Sequence, residues 1–74
     1  MTWEDVLTKA RGSVGQTINC ENERELLALR DIIKAEIPSL RTPQIEDALE
    51  ACCREVEAPR ERDEFLACLR QRLF

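Results

Sequence analysis

A chain of 74 residues with 11 Lys and Arg against 15 Asp and Glu carries a net charge of −4. That balance argues against sequence-independent binding to phosphate backbones, which depends on Lys and Arg displacing counterions, and leaves a local basic patch as the one route to nucleic acid. Hydrophobic residues at 43% suffice for one small core, so the charged fraction of 35% predicts wet helix faces rather than disorder. Residues 1–74 are expected to form a single helical domain; a chain this short buries only about 60% of its unfolded surface, so its stability is marginal unless a staple or partner contributes.

The opening "MTWEDVLTKARG" has early acids and no apolar run of signal-peptide length. Nothing approaches the roughly 20 apolar residues that span a bilayer. The expected localisation is therefore cytoplasmic, with no membrane contact. In that compartment thiols stay reduced, so the even cysteine count does not by itself predict a disulfide framework. Localisation and redox state stand or fall together.

Thr2 followed by Asp5 resembles a helix N-cap, and Trp3, Val6, Leu7 and Ala10 recur on one helical face, predicting a first helix over about residues 3–11. Gly12 and Gly15 are expected to end it, and "GSVGQTINC" reads as a loop from which Val14 and Ile18 tuck onto the core. Asn22 with Glu25 forms a capping pair before Leu26, Leu29, Ile33 and Ile37, a second helix running to about Glu36. Leu27 and Ile32 widen its apolar arc to either side, as expected of a central helix packed on two faces.

Pro38 stops that helix and makes "IPSLR" a connector. Thr42 as cap with Pro43 in the first helical position is the most specific local signal, and Ile45, Leu49, Cys52 and Val56 form the stripe of a third helix. Ala58-Pro59 breaks the pattern before Phe65, Leu69 and Leu73, flanked by Leu66 and Cys68, define a fourth helix. No strand-period alternation, repeat or low-complexity tract is visible. The fold class is all-α, a compact four-helix bundle or orthogonal helical array.

The adjacent Cys52 and Cys53 are the feature closest to chemistry. A structural zinc site needs four converging Cys or His ligands, whereas this chain has no His and its neighbouring thiols point about 100° apart on a helix. A vicinal disulfide conflicts with an uninterrupted helix, while a Cys52–Cys68 bond is conceivable if the third and fourth helices form an antiparallel hairpin. Packing as small hydrophobes is the expected role, with Cys52 in the core and Cys53, at the stripe's edge beside Glu46, the candidate exposed thiol. The absence of His and Tyr, with only two serines, Ser13 and Ser39, both in predicted connectors, gives no catalytic residue, cofactor, metal or small-molecule substrate.

The functional expectation is a small, non-catalytic interaction module, an adaptor or a homodimer. Leu27, Ile32, Leu66 and Phe74 lie off the centres of their stripes and are the candidate interface residues. Both flanks packing inside the monomer is the competing reading. The alternative function is a helix-turn-helix DNA-binding regulator, in which Arg60, Arg62, Arg70 and Arg72 contact phosphates. Those arginines project at widely different angles and are interleaved with Glu61, Asp63 and Glu64, so nucleic acid is the less favoured partner.

Overall fold

The computed structural model describes residues 3–74, in which α1 (Trp3–Ser13), α2 (Glu23–Glu36), α3 (Thr42–Glu55) and α4 (Arg62–Leu73) are joined by short connectors. Two strands, β1 (Thr17–Ile18) and β2 (Arg60–Glu61), complete the chain. The all-α class stands. The expected cap at Thr2 lies outside the described residues.

Each helix follows from its apolar spacing, and the ends are where sequence and structure differ. Val6 and Ala10 bury the inner face of α1, which continues through Gly12 to Ser13 and closes with the Val14 N–H donating to Ala10 O at 2.9 Å. Gly12 thus does not end the helix: glycine weakens a helix by about 1 kcal/mol relative to alanine, too little to stop one whose inner face is packed. At α2 the Asn22 side chain accepts from the Arg24 N–H at 3.0 Å, the expected cap. Glu25 instead extends past the cap to accept from the Asn19 N–H at 3.0 Å, which ties the preceding turn to the helix.

Lys34 closes the other end of α2 by donating to Pro38 O at 3.0 Å and Leu40 O at 2.6 Å. It gives two carbonyls of the connector a donor. The cap of α3 is Arg41 rather than Thr42, one residue earlier than expected, and Pro43 still falls within the first turn, where a missing N–H costs nothing. Ile45, Ala48, Leu49, Ala51 and Cys52 are buried from α3, and Phe65, Leu66, Leu69 and Leu73 from α4.

The strands were not legible as strands, because two residues cannot show a period of two. Thr17 pairs with Glu61 and Ile18 with Arg60 in antiparallel register. The Arg62 N–H extends the ribbon by donating to Gln16 O at 2.7 Å. The Ala58–Pro59 peptide immediately before β2 is cis. The ribbon draws the α1–α2 loop against the entry to α4 and buries Ile18.

Consecutive helices are packing neighbours, and α4 returns to touch α1, which closes the array around one continuous core. Its largest fully buried side chains are Phe65, Leu29, Ile33, Ile45, Leu66, Leu69, Val6 and Cys52, so every helix contributes. No charged or polar residue is buried among the described residues.

Candidate functional site

The four cysteines are all bonded, Cys20 to Cys53 and Cys52 to Cys68, each pair with Cα atoms 6.0 Å apart. This overturns both the expectation of reduced thiols and the assignment of Cys53 as an exposed thiol. The separation of Cys52 and Cys53 around the helix holds, but its consequence differs. Cys52 points through the core to α4 and Cys53 points across the helix edge to the loop before α2, so each sulfur meets a different partner. The missing signal was Cys20, which the ribbon carries from the α1–α2 loop to the side of α3.

Beside the Cys20–Cys53 bond, an open cleft of about 410 Å³ lies between α2 and α3. Leu26 and Leu27 line it from α2, Leu49 from α3, and the disulfide closes one end. Glu23, Glu46 and Glu50 stand around it with Arg30 as the one basic lining residue. The Arg30 guanidinium donates to Asp31 at 3.1 Å and to Glu46 at 3.4 Å. The bond to Asp31 is the main cause that raises Arg30 above its ordinary value, with Glu46 adding to it, so this residue remains cationic. Glu50 is linked to Arg54 one turn on at 3.8 Å, with both side chains well exposed.

The four candidate interface residues separate. Leu27 is 43% exposed and sits in the cleft; Phe74 is 67% exposed and lies elsewhere, its ring meeting Trp3 edge-on with centroids 5.9 Å apart. Ile32 is half-buried against the core. Leu66 is fully buried and is a core residue, not an interface one, because α4 buries two adjacent positions, Phe65 and Leu66, where its helix runs between α1 and α3. Sequence reasoning missed Leu49 and the disulfide as cleft-lining groups. The adjacency of Leu26 and Leu27, too wide an arc for one contact, was the available sign.

Three of the four arginines named for phosphate contact are placed less freely than their sequence suggests, while Arg70 is exposed. Arg60 donates to Cys53 O at 2.8 Å, Arg62 to Gly15 O at 3.3 Å, and Arg72 pairs with Glu55. No group of three or more His, Cys, Asp or Glu side chains capable of holding a metal occurs among the described residues, and no described helix is long and apolar enough to cross a membrane. Comparison with protein-family models gave no match, and neither did comparison with curated proteins or with solved structures.

Proposed function

We propose that the chain is a disulfide-stapled, non-catalytic helical module that binds another polypeptide through the cleft between α2 and α3. The observation that carries this is the position of Leu27: a large aliphatic side chain left 43% exposed in a concave apolar surface beside Leu26 and Leu49. An exposed leucine alone is ordinary, whereas one set in a depression with an apolar floor and a charged rim has the anatomy of a recognition surface. The domain is small, and burying this surface against a partner adds to a limited core.

The two disulfides also bear on where the module works. A cytoplasmic placement was coupled to free thiols, and two bonded pairs in a chain of this size support an oxidising compartment instead. The DNA-regulator alternative loses support for a separate reason: Arg60 and Arg62 are committed to backbone carbonyls and Arg72 to Glu55.

Selection of helical peptides from a displayed library on the oxidised protein tests the reading. Binders are expected that lose their affinity on Leu27→Glu and shift the resonances of Leu26, Leu27 and Leu49. A selection whose binders all map outside the cleft, or one that yields none, overturns it. Sedimentation at several protein concentrations identifies the homodimer form, in which Leu27→Glu would abolish self-association.

A further inference from the structure

We infer that the occupant of the α2–α3 cleft is a basic amphipathic helix, with aliphatic side chains on one face and Lys or Arg along its borders. The inference rests on the interaction reading above and adds the chemistry of the partner. The cleft lies between two helices, so a third helix laid along it meets the same ridges and grooves that helices offer one another in a bundle. The competing mode, addition of a strand to a sheet edge, has little to build on, since β1 and β2 are two residues each.

Charge selects the sign of the partner. Three carboxylates, Glu23, Glu46 and Glu50, surround an apolar floor against the single cation of Arg30. Arg30 is already shared between Asp31 and Glu46, and the Glu50–Arg54 link at 3.8 Å is long and solvent-exposed. Exposed pairs of this kind are worth little and exchange readily, so an incoming Lys or Arg takes a place beside Glu50 or Glu23 at small cost. Glu23, a lining residue of the cleft, also sits in the first turn of α2, where the helix dipole favours its charge.

The same rim disfavours a second copy of the chain. A two-fold contact through this cleft would bring like carboxylates together, since symmetric interfaces oppose a patch to itself. A basic helix from a different chain meets no such repulsion. Its aliphatic side chains cover Leu26, Leu27 and Leu49 while its cations meet the rim, and complementary charge speeds encounter and fixes orientation.

Three constrained helical peptides test this on the oxidised, full chain: a Leu/Lys amphipathic helix, its Leu/Glu counterpart, and a Leu/Lys peptide of the same composition with the leucines spread around the helix. The first is expected to shift the resonances of Leu26, Leu27 and Leu49 and to bind about tenfold or more tightly than either of the others. Combined Glu23→Gln and Glu50→Gln is expected to weaken it by about three- to tenfold, with an unchanged helical spectrum confirming the fold. Equal binding of the Leu/Lys and Leu/Glu amphipathic helices overturns the charge preference while leaving a peptide-binding cleft. Equal binding of the spread-leucine peptide overturns it as diffuse attraction to an acidic protein, and shifts confined to Trp3 and Phe74 overturn the location and the interaction reading together.

Discussion

Cys52 and Cys53 are consecutive in the chain and are bonded away from α3 in different directions, Cys52 to Cys68 on α4 and Cys53 to Cys20 in the loop before α2. The roughly 100° turn between neighbouring helical residues is what makes this possible. One dipeptide thereby pins α3 to both the element that follows it and the segment that precedes α2. Cys20 and Cys53 also line the α2–α3 cleft, so the staple that secures the fold forms part of its wall.

Removing either bond is expected to cost more than the packing it takes with it. Cys20–Cys53 and Cys52–Cys68 span 33 and 16 residues. Loop-closure entropy for spans of that order gives about 3–4 kcal/mol apiece, a large share of the stability of so small a domain. Paired alanine substitution at Cys20 and Cys53, followed by guanidinium unfolding, measures the first; the pair at Cys52 and Cys68 measures the second and adds the loss of a fully buried side chain. A change below about 1 kcal/mol for both would remove the stapled architecture. In the intact protein no thiol is expected to titrate even after denaturation, and four are expected after reduction.

Leu27 and Leu66 were equivalent in sequence, each one step from its helix stripe, and the structure separates them. Leu66→Ala is expected to cost about 2–5 kcal/mol, the range for leucine truncation in a packed core, because its side chain is fully buried. Leu27→Ala is expected to change stability by less than about 0.5 kcal/mol, as surface substitutions do, and to act on binding instead. Chemical denaturation of the two variants side by side checks both, and similar losses would place Leu27 in the core.

Helix number, order and inner faces were legible because each depends on local spacing: Val6 and Ala10, Leu29 and Ile33, Ile45 and Leu49, and Phe65 and Leu69 are all buried as their periodicity predicts. Pro38 and Pro59 marked the breaks for equally local reasons. What was illegible depends on distant segments. Cys20 meets Cys53 in the same loop that pairs Ile18 with Arg60, and no residue in "GSVGQTINC" announces that pairing. The cleft was half legible: the width of the α2 arc pointed to Leu27, while Leu49 and the carboxylates opposite it enter only through the docking of α3.

Gly12 offers the converse of a truncation. It lies in α1, its φ is negative, and a methyl group added there meets no atom within 4 Å. Gly12→Ala is therefore expected to stabilise the protein by about 0.4–1 kcal/mol, since alanine reduces the freedom of the unfolded chain without strain in the folded one. A rise in Tm of a few degrees, roughly 4–8 °C per kcal/mol for a domain of this size, is the readout, and a fall would mean that the end of α1 needs the glycine for another reason.

Arg60 provides the last test, because it links three features that lie apart in the sequence. As a residue of β2 it pairs with Ile18, and its guanidinium donates to the carbonyl of Cys53 at 2.8 Å near the C-terminal end of α3. A cation here completes an end-of-helix carbonyl and complements the helix dipole, and hydrogen bonds from charged groups contribute about 1.5–3 kcal/mol. Its Nε is buried without a partner, which subtracts from that gain and places the expected cost of Arg60→Met at about 1–2 kcal/mol. Hydrogen exchange separates this role from simple packing. Loss of Arg60 should speed exchange of the Arg62 N–H, which closes the ribbon onto Gln16, while leaving the buried amide of Ile33 in α2 protected to the extent that global stability allows. Uniform acceleration across both sites would instead assign Arg60 to the global core rather than to the junction of ribbon, helix end and disulfide.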